Sequence, residues 1–392
     1  MNTVEQPKPK ASRLAALVLL VLSTAAAIMF AEFGLRFAVN PADFLHATLI
    51  DDPVLGHRIP PLTTGHDALG YRNTVVPKRA DIVAIGDSNT YGVSAPRESS
   101  WPQQLGRLLG ENVYNMALGG YGPLQYLYLA QTSAKAMKPR LLVIGFYFGN
   151  DLMDSFNLPH ARSHWHGWRM PGGVNANQTA FDVVGQAEPK KRFGALRDWL
   201  SHHSLLYSML RATLLPRFAA EEQARMAQQA GRETWMLWKD PADPVVRTSF
   251  KPKHRLSAID LELAPVREGM QISQRAFVEL KAEAQRQGIG LLTVLVPTKE
   301  RAYCRYLAKS GETLPQTFAR LCVVEAQTNA EFTAFLDIQG MAHLDLLPTL
   351  EARIDQHVQV YPTDSDGHPQ AAGYAAIAEA IAATIQQRFP RR

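Results

Sequence analysis

The feature that most constrains the fold is a rhythm in which short apolar runs alternate with stretches of helical spacing, the first three runs opening onto glycine-bearing turns. Asp81–Ile85 (DIVAI) ends at Gly86, and residues 101 to 110 (WPQQLGRLLG) then carry helical spacing. Val113 to Met116 is a second run, followed by GGYG and an expected helix from Leu124 to Met137. Leu141 to Phe148 (LLVIGFYF) is a third. Runs this short and this rich in branched residues read as buried strands, and the stretches between them as crossover helices, so the rhythm predicts a parallel sheet in an α/β domain. It resumes with a helix from about Glu268 to Gln287, a strand at Ile289 to Val296 (IGLLTVLV), further αβ structure to Leu347 and a last helix from about Gln370 to Gln387.

Three stretches fall outside the rhythm. Residues 155 to 264, rich in tryptophan, histidine, basic residues and proline, read as an insertion with helices near 194 to 213 and 218 to 236. Residues 39–80 form an irregular, proline- and glycine-rich lead-in. Leu14 to Ala31 carries no charge and is preceded by Lys8, Lys10 and Arg13. Its apolar residues cover every face, which a soluble amphipathic helix does not do. The run is at the short end for a membrane span and the long end for a secretory leader, and both readings export the remainder of the chain. Ala25, Ala26 and Ala27 offer a cleavage site, but Ile28 to Phe30 continue the apolar stretch and favour an uncleaved anchor. Cations ahead of the run place the N-terminus inside, which predicts a single-pass inner-membrane protein with residues 81–390 as a periplasmic or extracytoplasmic domain.

The net charge of +5 is spread along the chain, and the short run Lys190, Lys191, Arg192 reads as a solvated face. No zinc-finger spacing or basic stripe interleaved with aromatics is present, so nucleic acid is not an expected partner. Cys304 and Cys322 are the only cysteines; in an exported domain they form either a disulfide or two buried thiols.

Chemistry concentrates where runs end. In GDSNTYG, Gly86 to Gly92, a serine follows an apolar strand directly, a turn that exposes its hydroxyl at the sheet edge. Ser88 needs a base within hydrogen-bond reach and donors for the oxyanion; a helix N-cap is the competing role for such a residue. In YPTDSDGHPQ, Asp366 stands two residues before His368, so base and orienting acid can share one loop, with Asp364 as the rival acid. NMALGGYG (Asn115 to Gly122) and Gly149, Asn150, Asp151 supply candidate oxyanion donors, of which Gly120 and Asn150 are preferred. Their alternatives are a tight turn and a helix cap. Asp87 and Asp151 are expected to hold loops by bonds to backbone. The histidines, His202 and His203 among them, lack metal-ligand spacing, and no phosphate-binding glycine motif is complete, so neither metal nor cofactor is expected.

These four segments, in this order, resemble blocks I, II, III and V of the SGNH/GDSL hydrolase superfamily. The resemblance covers roughly 81 to 154 and 265 to 388 and implies a three-layer α/β/α, flavodoxin-like fold. Residue by residue it implies Ser88 as nucleophile and oxyanion donor, Gly120 and Asn150 as further donors, and Asp366 with His368 completing a catalytic triad. Many members space the last pair Asp-x-x-His, whereas here the longer spacing would select Ser365. The lead-in with Leu55, Gly56 and then Gly70, Tyr71, Arg72, and the later VPTKE (Val296 to Glu300), resemble bacterial members with an N-terminal anchor, without an implied role. The expected activity is hydrolysis of carboxylic esters through an acyl-serine on an envelope or extracellular substrate. One alternative is O-acetyl transfer to a polysaccharide with the same triad. Another is a non-catalytic glycan-binding module using Trp165 and Trp168.

Overall fold

A computed structural model describes residues 11–172, 194–214, 224–241 and 247–391. Lys190 to Arg192 lie outside the described residues. Short hairpin strands β1 (Ile50–Asp52) and β2 (Gly56–Arg58) precede the sheet strands β3 (Ile82–Gly86), β4 (Val113–Ala117) and β5 (Leu141–Tyr147). A second antiparallel hairpin, β6 (Met236–Lys239) and β7 (Arg247–Phe250), leads to β8 (Gly290–Val296) and β9 (Ala342–Asp345). The main sheet has the order β4-β3-β5-β8-β9, with every pair parallel.

The sheet is buried on both faces, as a parallel sheet must be. Side chains alternate along each strand, so Ile82, Ala84, Leu141 and Val143 enter one core and Val83, Ile85, Leu142, Ile144 and Phe146 the other. Helices Trp101–Leu109, Lys299–Lys309 and Ala371–Arg388 cover the first face. Helices Pro123–Gln131, Ala264–Gln287 and Gln316–Ile338 cover the second. The domain is thus the three-layer α/β/α sandwich that the rhythm and the resemblance lead one to expect. Because all five strands run the same way, their carboxyl ends share one edge, and the loops holding Ser88, Gly120 and Asn150 leave from it.

Several local expectations are corrected. The helix expected from Leu124 to Met137 is two, Pro123–Gln131 and Ser133–Ala136, because the Thr132 hydroxyl donates to the Tyr128 carbonyl at 2.6 Å and the backbone leaves helical values there. Of the helix expected over 218 to 236, residues 224–230 are helical, and the chain then turns into β6. The lead-in is less irregular than its composition suggests: β1 and β2 pair through three residues each, too few to show a period. Helix Asp151–Ala161 runs through residue 155, the expected start of the insertion. Cys304 and Cys322 form a disulfide with Cα atoms 6.0 Å apart, joining helix Lys299–Lys309 to helix Gln316–Ile338.

At the N-terminus, helix Ala11–Ala38 contains the one described segment long and apolar enough to cross a membrane, Leu14–Ala38.

Candidate active site

Strand β3 is buried along its whole length and delivers the chain to a four-residue helix, Ser88–Tyr91. The N-cap of that helix is Asp87, whose carboxylate accepts from the Asn89 N–H at 2.9 Å; Ser88 is therefore relieved of the capping role. Gly92 closes the turn at φ +91°, where a Cβ would also lie 2.4 Å from that of Ser100. The buried Arg72 fastens this loop, donating to the Gly92 carbonyl at 2.6 Å and the Ala95 carbonyl at 2.9 Å while pairing with Asp43 at 2.8 Å.

The C-terminal loop brings its histidine back to that turn. His368 Nε2 lies 2.8 Å from Ser88 Oγ, and His368 Nδ1 lies 2.5 Å from Asp366 Oδ1. Ser94 donates to the other Asp366 oxygen. Burial acts to raise the Asp366 carboxyl, but the hydrogen bond and charge of His368 and the bond from Ser94 override it and hold the group well below the usual carboxylate range. Asp364 does not reach the histidine; its carboxylate accepts the Asp366 N–H at 2.9 Å. Ser88 Oγ also stands 3.1 Å from Asp87 Oδ2. Burial raises the Asp87 carboxyl, partly opposed by the charge of His368 and by bonds from Asn89 and Ser88.

The other two segments flank the serine unequally. A Cβ on Gly119 would sit 3.5 Å from that of Ser88, so this loop lies directly beside the hydroxyl, and Gly120 holds φ +78°. Asn150 occupies the N-cap position of helix Asp151–Ala161 without its side chain capping it. Instead its amide donates to Asp154 at 2.7 Å, which engages one of its two N–H groups. Burial and the charge of Asp87 push the Asp154 carboxyl up to about 7, with the Asn150 bond opposing them. Asp151 accepts the Tyr147 N–H at 3.1 Å and the Tyr126 hydroxyl at 3.0 Å, tying β5 to a facing helix. Trp165 is buried, its indole donating to the Val54 carbonyl at 2.8 Å, and Trp168 stacks under Arg275.

Two neighbours of the site are not foreseen from the sequence. Lys299, fully buried in VPTKE, donates to the carbonyls of Pro362 (3.3 Å), Asp364 (2.7 Å) and Asp366 (3.0 Å). Burial lowers its ammonium to about 8, against the attraction of Glu300, Asp364 and Asp366. His57, on β2, lies with Nε2 2.8 Å from the Gly119 carbonyl, which obliges that nitrogen to carry the proton. The only signals for the pair are Leu55 and Gly56 just before His57 and the VPTKE run that contains Lys299. Among the described residues no group of three or more histidines, cysteines or carboxylates is arranged to hold a metal ion.

Residues 258–392 match the family described as the SGNH hydrolase-like domain of acetyltransferase AlgX; this segment includes Asp366 and His368 but not Ser88. No curated protein sequence matches the chain. Among solved structures, similarity extends to a member of the lipolytic protein G-D-S-L family from Veillonella parvula, at 11% identity over 79% of this chain and 98% of that one, with a TM-score of 0.36. A catalytic mutant of Axe2, an acetylxylan esterase from Geobacillus stearothermophilus, aligns at 10% identity over 81% and 99% of the two chains, with a TM-score of 0.37. The acetyl xylan esterase Est2A from Butyrivibrio proteoclasticus aligns at 9% identity over 80% and 65%, with a TM-score of 0.33. The parallel three-layer sheet is the fold that the resemblance to the SGNH/GDSL hydrolases implies, and the match to the SGNH hydrolase-like domain family falls on the last third of the chain.

Proposed function

We propose that the protein is an exported, membrane-anchored serine esterase in which Ser88 attacks, His368 moves the proton and Asp366 orients the imidazole. The observation that carries this reading is the unbroken line from Ser88 Oγ through His368 to Asp366, at 2.8 Å and 2.5 Å. Ser88 Oγ bonds to the carbonyl carbon of the ester as its proton passes to His368 Nε2. The ionised Asp366 fixes the Nδ1–H tautomer and stabilises the imidazolium. The Ser88 N–H, in the first turn of its helix, has no intrahelical acceptor and is available to the oxyanion. Gly120 N–H and the second N–H of Asn150 complete the donor set. Collapse breaks the ester C–O bond, and the alcohol leaves with the proton from His368. A water, deprotonated by His368, then attacks the acyl-serine, releasing the acid and restoring Ser88.

His57 has a place in this scheme through a single peptide unit. The Gly119 carbonyl that it binds and the Gly120 N–H belong to the same planar amide, so a donor on the oxygen directs the N–H to the opposite side and polarises it.

The match to the family of an acetyltransferase favours a second use of the same residues. There a glycan hydroxyl takes the place of water in the last step, and the acetyl group passes to it.

Full-length protein in membranes, treated with a fluorophosphonate probe, is expected to be labelled, and Ser88→Ala to lose the label. Labelling that survives Ser88→Ala would displace the nucleophile. A folded wild type that takes no label points to the glycan-binding module instead. Release of free acetate set against acetate recovered on an added glycan separates hydrolysis from transfer.

A further inference from the structure

Helices Gly194–His203 and Leu205–Leu214 adjoin with only Ser204 between them, and the Ser204 hydroxyl caps the second by accepting the Tyr207 N–H at 3.1 Å. The N-terminal donors of that second helix are met by a residue far away in sequence. The Glu32 carboxylate accepts from the N–H groups of Leu205 (2.9 Å) and Leu206 (3.0 Å) and from the Ser204 hydroxyl (3.0 Å). Arg36, one turn on, pairs with Glu32 at 3.1 Å and donates to the His203 carbonyl at 2.8 Å. Carboxylate, guanidinium and helix end thus form one closed set, and the His46 N–H ties the lead-in to it through the Ser201 carbonyl at 3.0 Å.

Glu32 is the first charged residue after the uncharged run from Leu14 to Ala31. At 1.5 Å per residue that run rises roughly 27 Å, close to the thickness of a hydrocarbon core. Glu32 and Arg36 therefore stand where the core gives way to headgroups, and whatever is hydrogen-bonded to them shares that depth. Yet the two helices carry Leu196, Trp199 and Leu210 with about half of each side chain exposed. Leu196 and Trp199, three residues apart, share a stripe, and Trp199 stacks on His203. Arg197 and Arg211 stand on the same two helices. Exposed leucine and tryptophan beside arginine suit the boundary layer of a bilayer, where an indole keeps its ring in the acyl region and its N–H at the headgroups.

We infer that this helix pair is a foot lying in the interfacial layer of the membrane, with a lipid surface as the partner of Leu196, Trp199 and Leu210. The foot rests on the reading of Leu14–Ala38 as an uncleaved anchor. It fixes the height and tilt of the hydrolase-like domain, because the foot is bonded both to the anchor and to the lead-in that packs beside the serine loop.

The test uses full-length protein in phosphatidylcholine nanodiscs whose acyl chains are brominated near the headgroup. Comparison of the wild type with Trp199→Phe isolates the emission of Trp199 from that of the other tryptophans. Strong quenching of that component by the brominated lipid, with protection from aqueous iodide, is the expected result. Quenching by iodide instead means the face stands in water, and quenching by neither means protein covers it; both overturn the foot. Failure of the full chain to enter the discs overturns the anchor as well, whereas entry without bromine quenching of Trp199 overturns the foot alone.

Discussion

The two sides of the site are built in opposite ways. On the side of the proposed nucleophile the turn itself is local: a buried strand ends, Asp87 caps the next turn, and Gly92 closes it, all within seven residues of sequence, Gly86 to Gly92, with Arg72 fastening the finished turn through the Gly92 and Ala95 carbonyls. On the base side the loop from Pro362 to His368 has no strand of the sheet beneath it. Besides the bonds from the Asp366 and His368 N–H groups to the loop's own carboxylates, it is held from outside by Lys299, whose ammonium collects three of its carbonyls. Local construction tolerates change elsewhere in the molecule, while remote construction makes a catalytic distance depend on a residue that never meets substrate.

The proposed roles can be broken in descending order of effect. Loss of the nucleophile should be most severe: Ser88→Ala is expected to lower kcat roughly 10⁶-fold with an unchanged thermal midpoint. Asp366→Asn is expected to cost roughly 10⁴-fold, through the wrong histidine tautomer, and Asp364→Asn far less. An equal loss in both would mean that the loop, and not the carboxylate at His368, was damaged. Lys299→Met should reduce kcat about 100-fold, the scale of an ångström-sized displacement of a catalytic group. If that variant keeps wild-type kcat, the base side is as local as the nucleophile side and the contrast fails. His57→Leu is expected to cost about tenfold in the rate of fluorophosphonate labelling, below the 100-fold typical of losing an oxyanion donor outright, and His57→Gln to restore most of it.

Titration sharpens the same contrast. Lys299, lowered to about 8 from an unfolded value of 10.5, is expected to make the proposed activity fall as pH rises through 8, because the neutral amine has fewer protons to share among three carbonyls. Its effect on stability has the opposite sign. Between about 8 and 10.5 the unfolded chain binds more protons at this group than the fold does, so its contribution to unfolding free energy rises with pH. A pH–rate profile recorded beside thermal midpoints should therefore show activity lost where the Lys299 contribution to stability grows. Asp366 works at the other extreme: held low in the fold, it contributes stability present above the ordinary carboxylate range and surrendered only in strong acid.

The legibility of the amino-acid sequence divides along the same line. Strands β3 and β5 announce themselves because burial on both faces demands apolar runs, β4 and β8 do so with one polar residue each, Asn115 and Thr293, and the motif loops are recognisable because three sit at such a run's end and the fourth opens the last helix. The carboxylate beside His368 is the preferred one, two residues away and not four. Lys299 is invisible as a clamp because its partners are backbone carbonyls, which any sequence would supply. His57 has no visible partner for the same reason. Strands β1 and β2 are too short to carry a period, and the break at Thr132 depends on a hydroxyl choosing its own backbone over water.

The disulfide gives the clamp a chemical history. Cys304 lies in the helix that Lys299 begins, and Cys322 lies one turn before Glu325, whose carboxylate accepts the Thr298 N–H at 2.7 Å at the start of that same helix. Covalent bond and cap are two latches on one helix, and only the cap can close in any compartment. A chain made where thiols stay reduced would keep Lys299 on the histidine loop but hold the helix that carries Lys299 by the Glu325 bond alone, so the disulfide ties the clamp of the site to the redox state of the compartment.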